Sequence, residues 1–131
     1  MDALVGVPYR EHGRGYDAAD CWGLVYLFYR DILRDPIPSY SAEMERRGMA
    51  CAAFAPLIER EVGRNWIEVP EPSFGVVVLM RNGRHPTHVG IALDKRRLLH
   101  TEGPGDSGIE RLDGPRIAKR IVGYYRLKHA D

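Results

Sequence analysis

Apolar positions follow two different rhythms in the two halves of this chain. From Leu24 to Leu33 they recur at helical intervals, with Leu24, Leu27, Phe28 and Ile32 on one face. Tyr16-Asp17-Ala18-Ala19-Asp20 comes just before and supplies acidic caps. The pattern predicts a first helix over 20–34, stopped by Asp35-Pro36-Ile37-Pro38 because proline cannot continue the hydrogen bonding. Ser41 can cap a second helical region, Ala42–Arg47, which breaks near Gly48, resumes over 50–62 and ends at Gly63. From Trp66 onward the apolar residues are mostly β-branched. Strands are predicted at Trp66–Val69, Gly75–Met80, His88–Leu93, Arg97–Thr101, Ile109–Leu112 and Ile121–Leu127. The unbroken run Gly75–Met80 reads as a central strand covered on both faces. Asn82-Gly83 marks a hairpin turn, and Pro115–Arg120 a turn or short helical piece. Helices first and strands after predict an α+β fold with an antiparallel sheet, in one domain over 1–131.

Composition narrows the classes of function. The 131 residues suffice for a core without metal or disulfides, and 44% hydrophobic with 28% charged residues is ordinary globular composition. A net charge of +1 gives no reason to expect nucleic acid or an anionic membrane as partner. No apolar run approaches membrane-spanning length, and Met1-Asp2-Ala3-Leu4 lacks the regions of a secretory signal. Cys21 and Cys51 are the only cysteines, too few to argue for a disulfide scaffold; Cys51, in a small-residue apolar run, reads as packing filler.

Candidate chemistry gathers around Cys21. A thiol at a helix N-terminus meets unpaired N–H groups and the positive end of the helix dipole, which favour thiolate. A cysteine there is also an ordinary small core residue, so a base must be found. His88, Gly90 and Ala92 share one face of their strand, while Val89, Ile91 and Leu93 share the other, plainly core. The first face is small, as though something approaches it closely. If the three residues Asp94-Lys95-Arg96 form the next loop, residue 92 pairs with 98 and 90 with 100. His88 and His100 then become diagonal neighbours, and a shift of one residue would part them to opposite faces. A nucleophile, a base and a group orienting the base would be Cys21, His88 and His100. The same three could ligate zinc, but no compact ligand pair such as Cys-x-x-Cys accompanies them. His12 and Arg10 read as exposed loop residues, Lys95, Arg96 and Arg97 as a solvated hairpin tip, and Trp66 as core.

Taken together, these fragments resemble the NlpC-type cell-wall cysteine peptidases over nearly the whole chain. That family opens with Gly-x-Pro-Tyr, here Gly6-Val7-Pro8-Tyr9, and reaches Asp-Cys-Ser-Gly-Leu-Val about a dozen residues on, here Asp20-Cys21-Trp22-Gly23-Leu24-Val25. Its Pro-Gly-Asp strand is loosely matched by Phe74–Leu79. Its His-Val-Gly-Ile is unchanged at His88–Ile91, and its hydrophobic-His strand is Leu98-Leu99-His100. The resemblance implies a papain-like fold, Cys21 as nucleophile, His88 rather than His85 as general base, and His100 as the polar member orienting it. It also implies Tyr9 with its hydroxyl beside the nucleophile, Asp20 engaging the amino end of a peptide substrate, and the Cys21 N–H as an oxyanion donor. Trp22 replaces a serine that lines the substrate site.

In function, the resemblance implies a peptidoglycan endopeptidase that cleaves an amide in stem peptides, with no cofactor and no metal. The Asp-Cys-Trp-Gly-Leu-Val form is most similar to the branch encoded by tailed bacteriophages. That implies a virion tail location, other tail tip proteins as partners, and delivery to the cell envelope without a signal peptide. The alternatives are a non-catalytic structural component of a tail tip, and an acyltransferase or amidase of the same superfamily.

Overall fold

The helical rhythm after Asp20 produces one α-helix, α1 (Cys21–Asp31), in the computed structural model of the chain, which describes residues 2–37, 66–83, 85–102 and 105–128. The second helical region expected over 41–62 lies outside these residues, as does Cys51. Asp20 caps α1: its Oδ1 accepts from the Gly23 N–H at 2.7 Å. Only Tyr26, Arg30 and Asp31 of α1 reach toward solvent, so the helix is a core element rather than an amphipathic surface one. It stops short of the expected boundary. The N–H groups of Ile32 and Leu33 both fall on the Phe28 carbonyl (2.9 and 3.1 Å), and Arg34 takes a left-handed φ of 57°. The chain has already turned before Pro36 arrives.

A two-stranded ribbon precedes α1, β1 (Arg14–Gly15) with β2 (Ala18–Ala19). Six further strands are β3 (Trp66–Val69), β4 (Val77–Asn82), β5 (His85–Ala92), β6 (Arg97–His100), β7 (Gly108–Arg111) and β8 (Ile121–Leu127). They form one antiparallel sheet in the order β3–β8–β4–β5–β6–β7. The β4–β5 hairpin sets Asn82 opposite His85 with Gly83 at a φ of +63°, the conformation the Asn-Gly signal calls for. The segment expected to be a turn or helical piece contains a short 3-10 helix, Ala118–Arg120. No helix among the described residues is long and apolar enough to cross a membrane.

The central strand is covered on both faces, as its continuous apolar run predicts. Val77 and Leu79 join Val89, Ile91, Leu99 and α1 in one core cluster. Val78 and Met80 join Ala92, Leu98, Leu112 and Ile117 in a second cluster. The β5–β6 register is the one on which the site depends: Ile91 faces Leu99 and Ala92 faces Leu98. Asp94 sets it. Its Oδ1 accepts from the N–H groups of Arg96 and Arg97, each at 2.8 Å, while the Leu93 N–H reaches the Arg97 carbonyl. A three-residue loop results, and β5 and β6 keep the expected phase.

Candidate active site

Cys21 is the first residue of α1, and the chain before it is held by backbone contacts. The Ala19 N–H donates to the Pro8 carbonyl, the Arg10 N–H donates to the Ala19 carbonyl, and Tyr9 bridges Ala19. Asp20 is fully enclosed, its oxygens shared among three donors. Besides capping Gly23, it accepts from the His12 N–H at 2.8 Å and from Arg14 Nη1 at 2.7 Å. A Cβ on Gly23 would stand 2.0 Å from the Gly13 carbonyl oxygen, so α1 and the preceding loop touch through backbone alone. Trp22 is completely buried, edge-on to Trp66 with ring centroids 5.9 Å apart.

Across the sheet, His88 and His100 are brought together. The His88 Nε2 and His100 Nδ1 atoms are hydrogen-bonded at 2.8 Å, and His100 Nε2 meets Glu110 Oε2 at 2.5 Å. Gly90 makes the approach possible: a Cβ there would lie 2.9 Å from the His100 Cβ. The small face of β5 is thus small for His100. It is also core, since Ala92 and Leu98, on the same strand phase as the two histidines, belong to the second cluster. Beside the pair, both oxygens of Glu102 accept from Arg120 (2.8 and 2.7 Å), and Glu102 Oε2 stands 3.8 Å from His88 Nε2. α1 packs on β5 and β6, the strands that carry both histidines.

Burial dominates the electrostatics. It pushes the His88 imidazole down to about 3, with the Glu102 charge opposing and His100 and Arg120 adding to the shift. His88 is therefore neutral at ordinary pH, with burial weakening it as a proton acceptor. The Arg120 guanidinium holds Glu102 down to about 2, against the effect of burial. Tyr9, half-buried, is pushed up to about 12 by burial and by the nearby Asp20 and Glu11 charges; it stays a phenol and can donate.

A family model, the NlpC/P60 family, matches residues 6–126. The chain belongs to the NlpC/P60 family. Its fold is that of solved members. Over 98% of this chain it superposes on a lipoprotein-like NLP/P60 protein from Staphylococcus aureus with a TM-score of 0.64 and 22% identity, spanning 40% of that longer chain. Over 94% it superposes on the NlpC/p60 domain of the peptidoglycan hydrolase SagA with a TM-score of 0.62 and 16% identity, spanning 89% of that domain. No curated protein matches the chain in sequence.

Within this NlpC/P60 domain, three of the expected site residues are placed as follows. Cys21 is disulfide-bonded. The cysteine count weighed against a scaffold of cross-links, but a single cross-link needs only two thiols brought together, which spacing does not reveal. Asp20 and Trp22, expected to face substrate, are wholly buried: one is a cap and loop anchor, the other core. The first turn of α1 directs both inward.

Sequence reasoning missed Glu110, Glu102 and Arg120. Charged residues on an edge strand and beside a loop carry no signal of their own until the register sets them next to His100 and His88. His88, His100 and Glu102 place their donor atoms within 4.8 Å of one another, which raises the zinc reading again. Two nitrogens on one tetrahedral zinc stand roughly 3.3 Å apart, given bonds of about 2.0 Å. The imidazoles are closer, at 2.8 Å, and Glu102 is already taken by Arg120. The group fits a shared proton better than a metal.

Proposed function

We propose that this chain is a cysteine endopeptidase of peptidoglycan stem peptides, with Cys21 as nucleophile, His88 as general base and His100 as the group that orients the base. The buried His88–His100 hydrogen bond, in which one imidazole can orient the other, is the observation that carries this reading. Family membership and the likeness to a peptidoglycan hydrolase domain support the substrate class. The Asp20–Val25 sequence supports a phage tail setting, where a virion delivers the domain to the cell wall in company with other tail tip proteins.

The cycle begins with reduction. A dithiol reductant takes the Cys21 disulfide to two thiols and is itself oxidised to a disulfide. His88 then accepts the Cys21 proton through Nδ1, since Nε2 is engaged by His100. The thiolate attacks the amide carbonyl, and N–H groups at the start of α1 receive the oxyanion. His88 returns the proton to the leaving amine, which departs and leaves a thioester on Cys21. Water, deprotonated by His88, attacks the thioester; the acid is released and the thiol restored. Tyr9, a phenol throughout, offers a donor near the helix start.

The disulfide favours a second reading, a structural tail component in which the site stays closed. One experiment separates the two. Defined muropeptides are incubated with oxidised protein, reduced protein and reduced Cys21→Ala, and the products are identified by mass spectrometry. The peptidase reading expects two free ends from reduced wild type alone. Cleavage by Cys21→Ala, or none by reduced and folded wild type, overturns it. A new conjugate in place of free ends would make the chain an acyltransferase.

A further inference from the structure

Two carboxylates flank the histidine pair, and they are placed for different tasks. Glu102 has both oxygens bonded to Arg120, whose Nε also donates to the Arg81 carbonyl at 2.9 Å; it stands off His88 as a fixed charge, beyond hydrogen-bond reach. Glu110 is in direct contact with His100 Nε2, at 2.5 Å, and Arg116 Nε approaches its other oxygen at 3.3 Å. Glu110 lies on β7 opposite Leu98, one diagonal step from His100, so backbone register puts it there.

With both imidazoles neutral, these contacts fix where the protons sit. A carboxylate only accepts, so His100 Nε2 must carry a proton. A neutral imidazole has one N–H, so His100 Nδ1 is an acceptor. Its partner at 2.8 Å, His88 Nε2, must then be the donor. In neutral His88 that leaves Nδ1 with a lone pair, and among the described residues no hydrogen bond is made to it. If His100 turned to its other tautomer, its Nδ1–H would face His88 Nε2. His88 would have to accept there, its proton would move to Nδ1, and the base would present an N–H where a lone pair is needed.

We infer that Glu110 is a positioning residue: it fixes the tautomer of His100 and, through it, of His88, so that His88 Nδ1 is the basic atom. This extends the proposed Cys21–His88–His100 set by one member and rests on that reading for its catalytic meaning. The tautomers themselves do not depend on it.

The test pairs nitrogen-15 NMR of the histidine rings with kinetics on muropeptides, using the full reduced chain. Wild type is expected to show the Nε2–H tautomer at both His88 and His100. Glu110→Ala should mix the His100 tautomers and lower kcat roughly 10- to 100-fold, less than the roughly 100- to 10,000-fold that a general base itself supplies. KM should stay within about twofold, since Glu110 is not placed against substrate. Glu110→Gln keeps an accepting oxygen and should restore both tautomers and most of kcat. A purely structural Glu110 would move stability without moving tautomers. An Nδ1–H tautomer at His100 in wild type overturns the inference with no variant needed. So do wild-type tautomers in Glu110→Ala, or an unchanged kcat despite altered ones. If tautomers respond as expected while reduced wild type cleaves nothing, the positioning chain stands and the peptidase assignment falls.

Discussion

The two halves of the candidate site are built by opposite means. The nucleophile end, from Gly13 to Gly23, is fixed by backbone: a carbonyl packed against a glycine, a cap, and a ribbon too tight for a side chain. The base end, across β5, β6 and β7, is fixed by side chains bonded to side chains, Glu110 to His100 to His88. Backbone contacts of the first kind hold one position and tolerate almost no added atom. A chain of the second kind keeps its geometry only while each member keeps its protonation state and register. The nucleophile end should therefore fail by steric substitution, and the base end by pH or by small displacements.

The largest effect is expected where backbone meets backbone. Gly23→Ala would place a Cβ 2.0 Å from the Gly13 carbonyl oxygen, with the Ala19 Cβ at 3.1 Å. Neither the loop, tied through Asp20, nor a buried helix can yield cheaply. A loss of about 4 kcal/mol or more, or failure to fold, is expected. Gly108→Ala is the matched control. Nothing lies within 4 Å of its would-be Cβ, and the substitution should be neutral or slightly stabilising, within about 1 kcal/mol. Thermal unfolding of the pair decides the matter: similar melting temperatures would mean that the backbone contact does not hold the nucleophile end.

Acid should act on the other end. His88 has its folded pKa depressed to about 3, below the ordinary 6.5. The unfolded chain thus binds a proton the folded chain refuses. The stability at stake is fully present above pH 6.5 and declines as pH falls toward 3, by about 1.4 kcal/mol per pH unit. Glu102, depressed from 4.5 to about 2, adds a second loss as pH falls through that lower window. Denaturant unfolding of the oxidised protein from pH 7 to pH 3 should show a slope near one proton, steepening below about pH 4.5. His88→Gln should flatten the first part and leave the second. An unchanged profile in that variant would mean that His88 is not the group being titrated.

This contrast also explains what the sequence makes legible. The position of Cys21 can be read because its determinants are local: a cap one residue before, a glycine two residues after, and helical spacing beyond. The His88–His100 pair can be read only through a loop-length argument, and it succeeds because the Asp94 turn leaves a single register. Glu110 and the disulfide of Cys21 could not be read. Each depends on residues distant in sequence coming together in space, and a glutamate on β7 looks like any solvated edge charge. The inward turn of Asp20 and Trp22 escaped for a related reason. A motif position says which residues adjoin the nucleophile, but the helix phase decides which way they point.

The smallest effect on stability carries the most information about coupling. Gly90→Ala would bring a Cβ to 2.7 Å from Leu98 Cδ1, 2.9 Å from the His100 Cβ and 3.0 Å from the Leu99 carbonyl oxygen. The Leu98 tip can swing away, whereas the His100 Cβ and the β6 backbone can yield only by widening the β5–β6 spacing. A loss of about 1–3 kcal/mol is expected, well short of the Gly23 substitution. Activity should fall further than stability. Pushing His100 outward lengthens its 2.8 Å hydrogen bond to His88, and such bonds weaken quickly with distance. If stability and kcat are both measured in folded, reduced protein, kcat should drop at temperatures where the variant is fully native, and the His88 ring N–H signal should shift. A variant that is destabilised yet keeps wild-type kcat would mean that the spacing of the two imidazoles is a matter of packing, and that His88 does its work without a partner.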